Sequence, residues 1–141
     1  MSVTIDTRAL THGAVLTMLS AAIAEAERIG QPQCIVIVDA SGETLGEIRM
    51  TGAKYLSRAS ARTKARTAAS INAPSDAIPQ AVRPAIAAAT QGQVTGLGGG
   101  LPIRVDGALV GGIGVGSGSA EQDLAVARAA LGAVGAQIAF D

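Results

Sequence analysis

This chain is poor in the residues that usually announce chemistry. In 141 residues it has no Trp, one Phe, one Tyr, one Cys and one His. With almost no aromatic rings there are no stacking platforms for single-stranded nucleic acid. One cysteine, Cys34, excludes an internal disulfide and a multi-cysteine metal site. One histidine, His12, leaves no Ser-His-Asp or Cys-His arrangement to build, and no carboxylate cluster has metal-ligand spacing, so no metal site is expected. Eleven acidic side chains cancel eleven basic ones, which removes any global field toward nucleic acid or a membrane. No stretch joins a charged start to an apolar middle and a cleavage site, and none is long enough to span a bilayer. A cytoplasmic protein is the expectation.

What the chain does have is glycine, 18 residues of it, much of it in Gly96-Leu-Gly-Gly-Gly-Leu-Pro-Ile-Arg-Val-Asp-Gly-Ala-Leu-Val-Gly-Gly-Ile-Gly-Val-Gly-Ser-Gly-Ser119. Two apolar runs flank Asp106-Gly107, the dipeptide suited to positive φ at both central positions of a tight hairpin turn. The segment therefore reads as an antiparallel hairpin with a Gly/Ser corner leading into a terminal helix. Without a crossover helix, and without a G-x-G-x-x-G, it is not a dinucleotide site.

Elsewhere, Leu10, Val15, Met18, Ala22, Ala26 and Ile29 recur at three- and four-residue spacing, predicting a helix with Thr7 as N-cap and Gly30 and Pro32 at its end. Cys34-Ile-Val-Ile-Val38 reads as a central strand, turned at Asp39-Ala-Ser-Gly42 into a second strand over Thr44 to Met50. An Ala-rich helix is expected from Tyr55 to Ile71. Ser75 is expected to cap a short piece, and Pro84 suits the first turn of a helix ending near Gly92. A strand around Gln93 to Thr95 and a last helix from Ala120 to Ile138 complete the order α-β-β-α-α-β-β-β-α. That is one α+β domain over residues 1–141, a five-stranded antiparallel sheet packed with helices in the profilin or PAS manner. So little aromatic volume requires backbones to approach closely, and flat Ala-rich faces of this kind often continue across a subunit boundary.

Lys54, Arg58, Arg62 and Arg66 are spaced by four, a cationic ridge to which Arg49 and Lys64 add. It could receive carboxylates or phosphates; a solvated face or a subunit contact is the simpler account. At the Gly/Ser corner, free amides could hold an anion, but Ser119-x-x-Gln122 is a capping box that satisfies them internally. Asp123 could face a pocket as an acid or base. Met50 and Tyr55 carry atoms able to ligate iron in principle, but a core methionine and a half-buried tyrosine are the simpler readings. Cys34 reads as a buried core thiol.

Three groups of segments, taken together, resemble the GlcG/HbpS family of haem-degrading or haem-binding domains, also found at the C-terminus of PduO-type proteins. They are Val38-Asp-Ala-Ser-Gly42 with Ile48-Arg-Met-Thr-Gly-Ala53; Ser57 with Thr63-Lys-Ala-Arg-Thr-Ala-Ala69; and Gly99-Gly-Leu-Pro-Ile103, Val105-Asp-Gly107, Val110-Gly-Gly-Ile-Gly-Val115 and Glu121-Gln-Asp123. The resemblance spans roughly residues 8–138. It implies a profilin-like sandwich with five strands, self-association from dimers to octamers, and haem as ligand in some members. Arg49, Met50, Gly52, Ala53 and Lys64 fall on the family's Arg-Met-Asp-Gly-Ala and Lys-Ala elements, and Gly99, Gly100 and Pro102 on its Gly-Gly-x-Pro element. The chain departs from the pattern at Thr51, where an acid is usual, at Gly116-Ser117, where Ser-Gly is usual, and at Leu124, where a glutamate usually follows Asp123.

On this resemblance the expectation is a homo-oligomeric binder of a small ligand, with haem implied. Met50, Tyr55 and Lys54 would line the site, near Gly99 and Gly100, and Arg49, Arg58 or Arg62 would hold propionates. The alternative is an isomerase, lyase or hydrolase for a small carboxylate-bearing metabolite. There Arg49 or Lys64 would anchor the acid while Asp123 or Tyr55 moved a proton. A purely structural role for the Ala-rich helices is the third reading.

Overall fold

A computed structural model describes residues 1–140. Helix α1 (His12–Arg28) buries Val15, Met18, Ala22 and Ala26, the stripe that the spacing picks out. Its cap is Thr11, whose hydroxyl accepts from Ala14 N–H at 3.1 Å; Thr7 stays outside the helix. Strand β1 (Cys34–Asp39) is buried for five consecutive residues, and β2 (Thr44–Arg49) returns beside it. Helix α2 (Ser57–Ile71) follows, then two single 3-10 turns at Ser75–Ala77 and Gln80–Val82, and the short α3 (Arg83–Ala89) with Pro84 in its first turn. The hairpin is β3 (Gly100–Val105) and β4 (Ala108–Gly116), with φ of +50° at Asp106 and +80° at Gly107. The turn thus has positive φ at both centres, as the dipeptide requires. Last comes α4 (Ala120–Ala133), opened by the Ser119–Gln122 capping box.

The four strands form one antiparallel sheet in the order β2-β1-β4-β3. The fold is α+β, as expected, with four strands rather than five. Gln93 to Thr95 forms no strand because side chains take its backbone donors: Val94 N–H goes to Thr90 Oγ1 (3.2 Å) and Thr95 N–H to Thr67 Oγ1 (2.9 Å). Nor does α4 reach Ile138; the chain turns at Gly135, φ +70°, past its C-terminus. Ser75 caps nothing. Its hydroxyl bridges two segments, donating to Leu97 O at 2.6 Å and accepting from Gly100 N–H at 2.9 Å.

One face of the sheet (Ile35, Ile37, Leu101, Ile103, Ile113, Val115) packs on α1 and α4. The other, Cys34, Val36 and Val38, packs on Ala61, Ala65 and Ala69 of α2. Here the glycines of β4 become legible. A Cβ on Gly112 would lie 2.3 Å from Ala65 O, and one on Gly114 would lie 1.9 Å from Ala61 O. Helix α2 therefore rests its backbone directly on the strand, the close approach that the aromatic-poor composition calls for. Among the described residues, no helix is long and apolar enough to cross a membrane.

Candidate functional site

Because α2 lies flat on the sheet, its residues divide by direction. Ala61, Ala65 and Ala68 point in, Lys64 points sideways into the protein, and Arg58 and Arg62 point outward. The expected ridge is consequently not one continuous stripe. Arg66 is engaged by Gly42 O at 3.0 Å and by Gln93 Oε1. Arg62 pairs with Glu47 on β2 at 3.2 Å. Among the described residues, Arg49, Lys54 and Arg58 form no ion pair.

The register of β2 decides which predicted residues meet. Arg49 stands opposite Cys34 and Glu47 opposite Val36, so both face α2. There they enclose, with Arg58 and Ile48, a recess of about 140 Å³ over Cys34 and Val36. A neighbouring depression of about 180 Å³ is lined by Tyr55, Leu56, Arg58, Ala59 and Arg62. Tyr55 is 74% exposed rather than half-buried, and Leu56 is 68% exposed. The Arg58 guanidinium lies 6.0 Å from the Tyr55 ring centre, within cation–π range. Cys34 forms the floor at 1% exposure. Burial pushes its thiol pKa up against the lowering pull of Arg49, so it stays a neutral core thiol.

Met50 is directed elsewhere. It packs against the α1–α4 core, and its sulfur accepts Gln33 N–H at 3.4 Å. It borders a second groove of about 540 Å³ with Ile23, Glu27, Pro32, Ile48 and Arg49, the last two of which also line the recess over Cys34. Met50 and Tyr55 therefore do not share a pocket. His12 sits exposed at the start of α1. A wider depression, about 740 Å³ beside the hairpin turn, holds none of the expected site residues. Its Asp39 is occupied by a local turn, where bonds from Ser41 hold the carboxyl below its ordinary range.

The remaining expected residues form a second centre inside the protein. Lys64 Nζ donates to Asp123 Oδ2 (3.1 Å) and Val115 O (2.8 Å), and Gly118 N–H donates to Asp123 Oδ1 (3.1 Å). Lys64 is 6% exposed and Asp123 2%. Burial raises the Asp123 pKa, opposed first by the charge of Lys64. Gly99 and Gly100 are what make room for the pair. A Cβ on Gly99, φ +117°, would lie 3.1 Å from both Lys64 Nζ and Asp123 Cβ; one on Gly100 would lie 2.3 Å from Lys64 O. Tyr55, on the surface beyond the start of α2, takes no part. No group of three or more His, Cys, Asp or Glu among the described residues could hold a metal ion.

Two residues near this centre escape sequence reasoning. Gln33 is fully buried, beside Gly118 and Asp123, and neither amide atom has a hydrogen-bond partner. Ser117 holds φ +101° without being glycine. The only trace of either in the sequence is the inverted Gly116-Ser117 order.

Comparison with known proteins fits this arrangement. Residues 10–132 match the family described as haem degrading protein HbpS-like. Over 119 residues the chain is 33% identical to the corrinoid adenosyltransferase PduO of Salmonella typhimurium and 35% to that of Citrobacter freundii. Each match covers 81% of this chain but only 35% and 36% of those proteins, so the chain spans about a third of the length of the curated relatives it matches. Among solved structures, it is similar to a PduOC:heme complex (31% identity, TM-score 0.85, 93% of this chain and 99% of that one). It is also similar to the Klebsiella pneumoniae protein ORFY (29%, TM-score 0.90, 97% and 98%) and to HbpS (34%, TM-score 0.81, 92% and 93%). With the antiparallel sheet, the Gly99-Gly100 clearance and the sequence match extending through α4, this chain belongs to the HbpS-like family of haem degrading proteins.

Proposed function

We propose that this protein binds haem on the face formed by α2 and β2, as part of a self-associating assembly. The observation that carries the reading is the pairing of Arg49 and Arg58, both without an ion partner among the described residues, around one recess beside exposed Tyr55 and Leu56. Haem is a flat apolar ring with two carboxylates on one edge, and this donor set fits it. Arg49 and Arg58 would hold the propionates, since guanidinium matches carboxylate in a bidentate fork. Leu56 and the Tyr55 ring would cover part of the macrocycle, and the Tyr55 phenol is an oxygen of the kind that ligates haem iron. Lys54 adds positive charge at the same edge. When bound, the group would supply iron redox chemistry; the protein's residues bind and orient it.

Support from the relatives is of the same kind. A similar structure is a complex with haem, and the curated relatives, of which this chain matches a third, act on a corrinoid, another tetrapyrrole. The enzyme alternative rests on Lys64 and Asp123 standing 3.1 Å apart. Both are sealed from solvent and bonded to the backbone, an arrangement that favours holding the fold over meeting a substrate.

The test is a titration with hemin, and in parallel with a corrinoid, followed by absorbance. Saturable binding of hemin at stoichiometric amounts is expected, weakened about tenfold by Arg49→Ala with Arg58→Ala, in line with the loss of charge-assisted bonds at a half-exposed site. Tyr55→Phe should alter the spectrum more than the affinity. Hemin binding that does not saturate, or that ignores all three substitutions, refutes the site.

A further inference from the structure

We infer that Ser117 is a positioning residue, which holds the Lys54–Tyr55 segment in place for the ligand face; the ligand half of this inference rests on the haem reading above, the loop half does not. The argument begins with an oddity of the backbone. At φ +101° a residue with a Cβ is strained, at about 1–3 kcal/mol, and glycine adopts the same angle freely. A serine in such a place calls for something its side chain does that glycine cannot.

What it does is reach the other segment. Ser117 Oγ accepts Lys54 N–H at 2.9 Å, across 63 residues of sequence. Gln31 Nε2 donates to Ser117 O at 3.2 Å, fixing the same peptide from the other side. The carbonyl of Lys54 is held as well, by Ser57 N–H at 3.1 Å and by the Cys34 thiol at 3.7 Å. Lys54 is thus anchored at both of its backbone groups. Tyr55 comes next, and its carbonyl accepts Arg58 N–H at 3.2 Å as α2 begins. On the N–H side of Lys54, the segment that would present Lys54 and Tyr55 to a ligand is held by the Ser117 hydroxyl.

Ser117 can serve as an anchor because its own neighbours are immobilised. On one side, Val115 O accepts from Lys64 Nζ; on the other, Gly118 N–H donates to Asp123. The buried ion pair brackets the corner, and the corner in turn fixes the loop. This also gives a physical meaning to the inverted Gly116-Ser117 order: with glycine at 117 the angle would be unstrained, and Lys54 N–H would lose its acceptor.

Ser117→Gly and Ser117→Ala separate the two contributions, because glycine removes the hydroxyl and the strain while alanine removes only the hydroxyl. In the ligand-free protein, amide hydrogen exchange at Lys54 should accelerate about tenfold or more in both, with α1 and β1 unchanged. Hemin affinity should fall about three- to tenfold in both, as expected for a lost hydrogen bond behind a site. Thermal stability should hold or rise in Ser117→Gly and fall in Ser117→Ala. Unchanged exchange at Lys54 overturns the inference whatever hemin does. Faster exchange with unaltered hemin affinity also overturns it, leaving a serine that serves structure alone. If the unmodified protein shows no saturable hemin binding, the haem reading fails by itself and the exchange result still decides whether Ser117 holds the loop.

Discussion

Breaking the Lys64–Asp123 pair from either side should destabilise the protein, and removing the lysine should do so in a pH-dependent way. Lys64→Met leaves a carboxylate in a site where the native residue is 2% exposed, with Gly118 N–H and the adjacent Gln33 amide as its remaining polar neighbours. Asp123→Leu leaves an ammonium bonded only to Val115 O. Removing one partner of a buried pair costs about 3–5 kcal/mol. Replacing both should cost less, about 2 kcal/mol, because only two neutral backbone groups then lose a partner. The signs follow from which charge is stranded. Burial already raises the Asp123 pKa against the opposing pull of Lys64, and without the lysine it rises further. A carboxyl with a raised native pKa binds its proton more tightly folded than unfolded, so its stability contribution is present at low pH and lost as pH climbs through the native value. The Lys64→Met deficit should therefore shrink as pH falls from neutral toward the ordinary carboxylate range. Urea unfolding followed by far-UV circular dichroism at fixed protein concentration measures all four proteins. Single deficits below about 1 kcal/mol, a flat Lys64→Met deficit, or a double variant as costly as the two singles combined would refute a buried, mutually neutralising pair.

Two further substitutions test the packing. Gly100→Ala places a Cβ 2.3 Å from Lys64 O and 2.7 Å from its carbonyl carbon, and should destabilise by about 3 kcal/mol or more. Gly132→Ala, with nothing within 4 Å inside α4, should stabilise by about 0.5–1 kcal/mol, and equal effects from the two would show the close approach to be wrong. Gln33→Met exchanges an unpartnered buried amide for an apolar side chain of similar length. Denaturation should show a gain of about 1 kcal/mol, and a loss of that size would mean that the amide has a partner after all.

How much of this was readable beforehand varied with the range of the interaction concerned. The Asp106-Gly107 turn, the Ser119–Gln122 box and the buried stripe of α1 depend on residues within four positions of one another, and each emerged as expected. The segment Gln93 to Thr95 misled because Thr95 N–H bonds to the Thr67 hydroxyl, 28 residues away, a partner that no local pattern announces. The basic residues misled in another way. Their spacing of four describes a helix surface correctly, but Glu47 claims Arg62, and Gly42 with Gln93 claims Arg66, while Arg49, Lys54 and Arg58 form no ion pair among the described residues. Met50 and Arg49 are adjacent in sequence and share a motif, yet Arg49, the last residue of β2, borders the recess against α2, whereas Met50 packs on the α1–α4 core.

By itself the sequence determined that this protein is an α+β chain with an antiparallel glycine-rich hairpin, that its core depends on backbones meeting closely, and to which family it is similar. Those are properties of residue type, local spacing and order. Only the tertiary structure decided that Lys64 leaves the cationic ridge to pair with Asp123, that Gly99 and Gly100 clear the space for it, and that Ser117, at φ +101°, accepts the Lys54 N–H from 63 residues away. The reason is that a buried charge, a missing Cβ and a positive φ take their cost or benefit from atoms far away in the chain. Those atoms come together only when the sheet and α2 are packed.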